Sequence, residues 1–557
     1  MPRHDRAAPR WLLWLATACL PAALLLALEA GLRLGGFGAA LPLFIDSPSQ
    51  PGYREIDPEV ARRFVVDPEV PLLTKADPIY FAARKPEGGL RLFVQGESSA
   101  AGFPYGRFAS LAGMLQQRLG DTFPDRPVEV VSTAMSAINS YSLLDFADEI
   151  LREAPDAILV YVGHNEYLGL LGVGSTYSAG RSRAVTLAFL ELRRLRLFQG
   201  LQRGLAAARR AALGAAVDPG AEGESLMVQV AREKEIPLGS DLYQRGLAQL
   251  RANLRALLAR YRGRGIPVLI GTLASNERDQ PPFAGWAPGG AGAEDSADAW
   301  YARARSLEDE GDLAAARRAY LEAKDRDLLR FRAPEAANAI LRELAAEQGA
   351  ILVDVQAAFA REARGGIIGS ELVLEHVHPN VWGYFVLADA FYDALREARL
   401  LGSWEGAVAE EVAWRRQPVT EVESLAGERR IAVLRSHWPF QPEGAVAELP
   451  EARPGNRLER LALRMADQEI SWTEAMRAAL ELHERRGERE EAARIASNLA
   501  ATFPLAPSAH ALAGRWLLEL GRAKDAARRF ERAVELAPAK EAYRLGLATA
   551  RRAAAGQ

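Results

Sequence analysis

Ser98 stands where a hydroxyl group could act as a nucleophile. An apolar run at residues 90–94 leads into Gly96-Glu97-Ser98, and small residues follow as far as Gly102. This pattern predicts a buried strand that breaks into a tight turn and displays the hydroxyl at its carboxyl end. In open α/β sheets, ligands bind just outside the carboxyl ends of the strands. One serine proves little, so the chain must also supply a base, an orienting acid and oxyanion donors.

Three more polar clusters are expected where loops leave the carboxyl ends of strands. They are Ser136-Ala137-Ile138-Asn139, Gly163-His164-Asn165-Glu166 and Glu375-His376-Val377-His378-Pro379-Asn380. A serine hydroxyl becomes a good nucleophile when a base takes its proton, and an imidazole that titrates near neutrality suits that role. The tetrahedral oxyanion then needs preorganised hydrogen-bond donors. The clusters contain candidates for each of these parts.

Together and in this order, the four clusters resemble the sequence blocks of the SGNH (GDSL-type) hydrolases, a superfamily of serine esterases and acyl-group enzymes on a flavodoxin-like sheet. The resemblance covers about residues 90–400. It implies that Ser98 is the nucleophile, His378 the base and Glu375 the orienting acid. It also implies an oxyanion hole made by the Ser98 amide, a backbone N–H at Ala137 and the side-chain amide of Asn165.

The chain departs from the family pattern at three positions. Glu97 replaces the Asp of the first block, which is tolerable because that residue is not itself a reactant. Ala137 replaces the Gly of the second block, and its backbone donor survives provided that φ stays negative, because Ala is costly at positive φ. Glu375 replaces the Asp of the last block, and a Glu orients the imidazole in some α/β-hydrolases.

Some residues of these clusters have alternative roles. Ser98 or Ser99 could simply cap the following helix, although the block alignment selects Ser98. His376 could be the base and His378 structural, but His-Pro-Asn ahead of a helix favours His378.

Three polar side chains near the predicted site are candidate substrate contacts, or serve only in packing and in holding loops: His164, Glu166 and His376. A metal site built from His164, His376 and His378 is conceivable, but no ligand spacing supports it. The sequence therefore predicts neither a metal nor another cofactor.

Five β-rich runs alternate with segments of helical periodicity. The predicted strands are 90–94, 128–131, 157–162, 267–271 and 350–355, and the helices between them include 108–119, 142–152, 241–262 and 334–348. This alternation predicts an α/β domain over residues 86–402, a three-layer α/β/α flavodoxin-like fold with a parallel five-stranded sheet.

Two helical insertions interrupt this predicted domain. Residues 175–237 hold a basic amphipathic stretch that could cover the site or lie on a membrane, and 295–330 match a tetratricopeptide (TPR) hairpin.

The C-terminal residues 461–557 are predicted to form all-α TPR-like helical repeats behind a connector, residues 403–460. Small and apolar residues recur there at the 34-residue TPR period: Gly487, Ala492, Ala496, Leu499 and Pro504 are repeated by Gly521, Ala526, Phe530, Ala533 and Pro538. Unrelated Ala-rich helices are the alternative interpretation.

Residues 11–31 are predicted to be a transmembrane anchor, because 11–28 is a run of uncharged residues about long enough to span a bilayer. Arg3, Arg6 and Arg10 precede it, so residues 1–10 would be a cytoplasmic tail and the catalytic domain would be extracytoplasmic (periplasmic), held by one pass through the inner membrane. Residues 32–85 would be an irregular linker. A cleaved signal peptide is the alternative.

Cys19 is the only cysteine of the chain, so an intrachain disulfide is excluded.

These features predict a serine esterase that hydrolyses an O-acyl ester, such as an acetyl ester, of an extracytoplasmic glycan or envelope component through an acyl-enzyme. Two alternatives remain open: an O-acyltransferase acting on an exported polysaccharide, and a TPR scaffold with an inactive hydrolase domain. The expected partners are the ester substrate, the membrane and a protein bound by the TPR-like helices. A net charge of -3 gives no support to nucleic-acid binding.

Overall fold

A computed structural model describes residues 10–65, 74, 77–180, 182–213, 227, 230–231, 235–285, 293–449 and 452–556. Parts of the predicted cytoplasmic tail, linker and first helical insertion therefore lie outside the described residues. The strands are, in chain order, β1 (Phe44–Asp46), β2 (Tyr53–Ile56), β3 (Phe81–Ala82), β4 (Leu90–Gly96), β5 (Val128–Ser132), β6 (Ala157–Tyr161), β7 (Val268–Gly271) and β8 (Ile351–Val353).

The helices up to the end of the hydrolase-like region are α1 (Arg10–Leu34), α2 (Ser98–Ala101), α3 (Leu111–Thr122), α4 (Ser140–Arg152), α5 (Arg183–Leu192), α6 (Arg196–Leu213), α7 (Asp241–Arg262), α8 (Ala297–Asp309), α9 (Leu313–Arg326), α10 (Glu335–Gln348), α11 (Val355–Glu362) and α12 (Val381–Glu397). The helices that follow are α13 (Glu410–Arg415), α14 (Glu421–Arg435), α15 (Arg457–Ala466), α16 (Trp472–Arg486), α17 (Arg489–Thr502), α18 (Pro507–Glu519), α19 (Ala523–Leu536) and α20 (Glu541–Ala555).

The central sheet is parallel and has the strand order β5-β4-β6-β7-β8. Helices α4, α7 and α10 pack together on one face, and α3 and α12 pack on the other. Every residue of β4 and β6 is buried, as expected for strands covered on both faces. The predicted α/β class and five-stranded parallel sheet are confirmed, and this arrangement brings the carboxyl ends of the strands to one edge.

A small antiparallel sheet, β1-β2-β3, forms within the segment predicted to be an irregular linker. Aromatic packing on the main sheet holds this small sheet in place. The ring centroids of Phe81 and Phe44 lie 5.1 Å apart, and those of Phe81 and Phe93 of β4 lie 6.0 Å apart. The prediction of irregular structure is wrong here, because strands this short show no alternation in the sequence.

Helix α1 covers the segment predicted to be the anchor and contains Pro21. In the part of the chain that the structure describes, no helix is both long and apolar enough to cross a membrane. The C-terminal part of α1 contacts the first insertion, where the Glu29 carboxylate accepts hydrogen bonds from the N–H groups of Arg196 (3.0 Å) and Leu197 (2.9 Å). The anchor stays a prediction.

The second insertion is a helical hairpin, α8–α9, that supports the loop after β7. The Tyr301 hydroxyl donates to the Arg278 carbonyl at 2.6 Å, and Glu308 forms an ion pair with Arg278 at 2.9 Å. Contacts from this hairpin therefore fix one wall of the region around the predicted site.

The helices α15–α20 pack one against the next in chain order. Helices α17 and α19 begin at Arg489 and Ala523, 34 residues apart. The group contacts the hydrolase-like domain, because Trp472 stacks on Phe108 at 5.6 Å between ring centroids. The tetratricopeptide assignment of these helices and of α8–α9 stays a prediction.

Candidate active site

The turn after β4 presents the Ser98 hydroxyl. A side chain at Gly96 would lie 2.5 Å from the Tyr161 carbonyl oxygen and 2.5 Å from the Ala100 Cβ, so only glycine fits there. Ser98 begins α2 and is half-buried, whereas its neighbour Ser99 is only 1% exposed. The serine that the block alignment selects is therefore the accessible one.

Ser98, His378 and Glu375 form a continuous hydrogen-bonded line. The Ser98 Oγ lies 2.7 Å from the Nε2 of His378, and the Nδ1 of the same imidazole contacts the Glu375 carboxylate. Glu375 is fully buried and His378 is 7% exposed, so water does not compete for this carboxylate. The arrangement supplies the nucleophile, base and orienting acid of a serine hydrolase.

The extra methylene of Glu375 is accommodated by its own loop. The carboxylate accepts hydrogen bonds from the N–H groups of Val377 and His378, both at 3.3 Å, and from that of His376. Burial alone would raise the pKa of Glu375, but the imidazoles of His376 and His378 and their hydrogen bonds outweigh it and hold the pKa well below the usual range. The acid is therefore ionised and orients His378.

The loops after β5 and β6 supply the oxyanion donors. One side-chain N–H of Asn165 donates to the Ile138 carbonyl at 3.1 Å, which fixes the amide and leaves its second N–H for substrate. The backbone N–H of Ala137 makes no hydrogen bond to any described residue. The Ser98 N–H lies in the first turn of α2, where no intrahelical acceptor exists. The assignment of these three donors to an oxyanion hole stays a prediction.

Replacing Asn165 by Ala is expected to lower kcat by about 10²- to 10³-fold with a small change in KM, because the lost donor acts on the oxyanion of the transition state. Steady-state kinetics with p-nitrophenyl acetate measure the effect. A rise in KM at unchanged kcat would instead assign Asn165 to ground-state binding.

The backbone at Ala137 does not meet the condition that the sequence analysis set for it. Its φ is +61°, in the left-handed region, and not negative. The conformation is imposed by the tertiary contacts of its loop, because the Ala137 carbonyl accepts a 2.7 Å hydrogen bond from the Leu170 N–H. The backbone donor is kept, and the Cβ adds strain.

Ala137→Gly is expected to stabilise the protein by about 0.5–1 kcal/mol, since relief of left-handed strain exceeds the entropy that a glycine adds to the unfolded chain. Urea denaturation measures the change. Ala134→Gly, at a buried position two residues before Ser136 where φ is not positive, is the control and should destabilise the protein. Equal losses in both variants would contradict this account.

Glu97 holds the loop that carries Asn165. Its buried carboxylate accepts hydrogen bonds from three successive N–H groups, those of Gly163 (3.1 Å), His164 (2.9 Å) and Asn165 (3.0 Å). Burial and the nearby Glu166 raise its pKa to about 8 despite these bonds. Glu97 is thus a positioning residue, one that links the nucleophile turn to the oxyanion loop.

Glu166 is not a substrate contact, contrary to one of the predicted roles. It is 1% exposed, and its carboxylate accepts hydrogen bonds from the N–H of Ser140 (2.7 Å), the hydroxyl of Ser140 (2.9 Å) and the amide of Gln249 (3.1 Å). It therefore ties the oxyanion loop to the start of α4. Burial raises its pKa to about 7.

The raised pKa of Glu166 predicts a pH dependence of folding. Between about pH 4.5 and pH 7 the folded state holds this proton more tightly than the unfolded state, so the free energy of unfolding falls as pH rises. Glu166→Gln is expected to remove this loss, which is on the order of 2–3 kcal/mol for one buried carboxyl. Urea titrations at pH 5 and pH 8 test it, and identical pH dependence in both proteins would contradict it.

His164 and His376 lie in the interior beside the triad. The Nδ1 of His164 accepts a hydrogen bond from the Ala333 N–H at 3.2 Å, and burial lowers the pKa of this imidazole to about 3, so it is neutral. His376 is surrounded by the rings of Phe283, Phe331 and Phe440. Its Nδ1 contacts Oε2 of Glu375, the carboxylate oxygen that does not contact the His378 ring.

Among the described residues, the histidines considered for a metal are not brought together as one ligand set. The group whose ligand atoms lie within 4.8 Å of one another is Glu375, His376 and His378. Its carboxylate already serves both imidazoles, and His378 Nε2 faces Ser98. Glu375 and His378 therefore belong to the hydrogen-bonded line that begins at Ser98, and this chemistry is that of a serine nucleophile with its base and acid.

Sequence reasoning missed the aromatic residues that border the site from the connector. Trp438 and Phe440 lie about 60 residues after His378, and Phe440 packs on His376 at 5.8 Å between ring centroids. The family blocks carry no signal for them. Near these rings, Arg332 donates to the carbonyls of Asn276 (3.0 Å) and Gln280 (2.9 Å) and pairs with Asp327.

No protein-family model matches the chain, and no curated protein matches it. Solved structures do: a catalytic mutant of an acetylxylan esterase from Geobacillus stearothermophilus is 16% identical with a TM-score of 0.29, covering 57% of this chain and 96% of the other. A GDSL-like lipase from Parabacteroides merdae is 12% identical with a TM-score of 0.29, covering 56% and 96%. An α/β hydrolase enzyme from the metagenome of Lake Arreo, Spain, is 16% identical with a TM-score of 0.28, covering 55% and 94%.

These likenesses are too weak to carry an argument about function, which rests on the site itself. The parallel sheet, the serine at the end of β4 and the buried imidazole–carboxylate pair give the chain the arrangement that a serine hydrolase uses.

Proposed function

We propose that this protein is a serine esterase that removes an O-acyl group, such as acetyl, from an extracytoplasmic glycan or other envelope component through an acyl-enzyme. The observation that carries the proposal is the 2.7 Å contact between Ser98 Oγ and His378 Nε2, with Glu375 behind the imidazole and Asn165 in the oxyanion loop.

The reaction follows from this geometry in two halves. His378 Nε2 accepts the Ser98 proton as Oγ attacks the ester carbonyl, and the oxyanion is held by the Ser98, Ala137 and Asn165 donors. The intermediate collapses, the sugar oxygen leaves with the proton from His378, and the acyl group stays on Ser98. Water then gives a proton to His378 and attacks the acyl carbon, and as the second intermediate collapses His378 returns this proton to Oγ, which releases the carboxylic acid and restores Ser98.

Acetate release from an O-acetylated oligosaccharide tests the proposal. We expect release by the wild-type chain and slow turnover of p-nitrophenyl palmitate. Preferential hydrolysis of the palmitate ester would replace a glycan ester by a lipid ester as the substrate. Transfer of the acetyl group to an added sugar hydroxyl, in place of water, would identify the enzyme as an O-acyltransferase.

We infer that α1 anchors the enzyme in the inner membrane with the catalytic domain outside. The support is its uncharged run at 11–28 and the contact of its C-terminal part with α6 through Glu29. Leu192, Leu201 and Leu205 on the adjoining helices are 43%, 58% and 55% exposed, as expected for side chains at a lipid surface. Release of the full chain by alkaline carbonate without detergent would contradict the anchor.

A protein partner on α15–α20 remains a prediction. The scaffold alternative requires these helices to act apart from catalysis. Their stacking on Phe108 and the 3.2 Å ion pair of Arg522 with Asp121 attach them to the hydrolase domain instead. A folded wild-type chain that binds a protein partner but hydrolyses no acyl ester would favour the scaffold.

A further inference from the structure

A cleft of about 820 Å³ lies between the loop after β7 and residues 435–443 of the connector, and two of its rings, Phe283 and Phe440, contact His376. We propose that this cleft binds the sugar units of the glycan next to the one that carries the ester, an inference that rests on the proposed esterase function. Its walls combine aromatic rings with polar and charged side chains, among them Phe283, Trp438, Phe440, Gln280 and Arg435.

Rings of the cleft contact His376, and the His376 ring in turn contacts the ring of the proposed base, His378. Phe283 and Phe440 contact the His376 ring edge-on at 5.5 and 5.8 Å, and that ring lies 5.6 Å from the ring of His378, all between centroids. The ring of His376 is therefore the one side chain between the rings of the cleft and the ring of His378 along this path. A glycan that spans this distance would place its esterified unit at Ser98 and its neighbouring units in the cleft.

The lining fits a sugar better than an acyl chain. Aromatic faces can cover the C–H surface of a pyranose ring, while amide, carboxylate and guanidinium groups exchange hydrogen bonds with its hydroxyls. A fatty acyl chain would instead leave these polar groups without partners, which is costly once water is displaced. The mixture of rings and polar groups favours a polyhydroxylated ligand.

The charge of the rim narrows the class of glycan. The described lining includes three carboxylates, those of Glu235, Asp279 and Glu443, and one guanidinium, that of Arg435. These carboxylates would repel the carboxylates of a uronate-rich glycan, so neutral or amino-sugar glycans are favoured. We therefore assign a neutral or cationic oligosaccharide to the cleft.

The walls are held in place before any ligand arrives. Arg332 fixes the carbonyls of Asn276 and Gln280, and prolines restrict the backbone of both walls: Pro281, Pro282, Pro439 and Pro442. A preformed cleft loses little conformational entropy on binding, which is the condition for a weakly interacting ligand such as a sugar to bind.

Calorimetric titration of the full-length Ser98→Ala protein in detergent tests the proposal, because this variant binds without turnover. The ligands are xylotetraose, a glucosamine tetramer and tetragalacturonate. We expect binding of xylotetraose or the glucosamine tetramer and at least tenfold weaker binding of tetragalacturonate. Phe440→Ala in the same background should weaken binding by about tenfold, and Phe503→Ala, a half-buried ring of the C-terminal helices, should leave it unchanged.

Glu235→Lys is a second variant, chosen because Glu235 is exposed and its substitution does not disturb packing. It should weaken binding of the glucosamine tetramer and strengthen that of tetragalacturonate. The proposal is overturned if none of the three tetramers binds, or if Phe440→Ala and Glu235→Lys both leave the dissociation constants unchanged. Failure of the esterase function would show separately, as absent reaction of wild-type Ser98 with acyl donors.

Discussion

Replacing Ser98 by Ala is expected to lower kcat for p-nitrophenyl acetate by about 10⁴- to 10⁶-fold, because no acyl-enzyme can form without Oγ. The residual rate would come from the oxyanion donors, which remain in place. Steady-state kinetics with a melting curve for each protein separate this loss from unfolding, and a side chain this small and half-buried should leave the melting temperature nearly unchanged.

Ser99→Ala is the matched control for this change. Ser99 is the next residue, is 1% exposed, and its Oγ has no hydrogen-bond partner among the described residues. Its removal should leave kcat within a few-fold of the wild type. If Ser99→Ala abolished turnover and Ser98→Ala did not, the nucleophile would be misassigned.

His378→Ala is expected to cost a similar 10⁴- to 10⁶-fold in kcat, since the nucleophile and base act as one unit. The double variant with Ser98→Ala should therefore lose little more than either single variant. The same assay measures all three proteins. Additive losses would show that His378 and Ser98 do not act in one step.

His376→Phe tests which of the two histidines of this loop, His376 or His378, is the base. A phenyl ring fits the aromatic surroundings made by Phe283, Phe331 and Phe440, but it removes the contact with Glu375. The expected loss is about tenfold, the size of one buried hydrogen bond to a charged group. A loss as large as that of His378→Ala would make His376 the base.

The sheet could be predicted from the sequence because its strands are short apolar runs bounded by helical periodicity. The predicted 128–131 and 267–271 became Val128–Ser132 and Val268–Gly271, and the helix predicted at 241–262 has those bounds. The three residues of the hydrogen-bonded line could also be selected from the sequence, because Ser98 sits in a short pattern after β4, and Glu375 and His378 sit in another just before α12.

Features set by tertiary contacts could not be predicted. The positive φ of Ala137 depends on a hydrogen bond from Leu170, and the burial of Glu166 depends on Gln249 of α7. The cleft beside His376 forms only when the connector returns to the site through Phe440. None of these contacts leaves a periodic or spaced pattern in the sequence.

The most direct test of the central claim is labelling of the full-length protein with a fluorophosphonate, followed by mapping of the modified residue by mass spectrometry. The account predicts one phosphonylated residue, Ser98, with labelling retained in Ser99→Ala and lost in Ser98→Ala and His378→Ala. Labelling at Ser99 or at another hydroxyl, or no labelling of a folded wild-type protein, would contradict the assignment of Ser98 as the activated nucleophile.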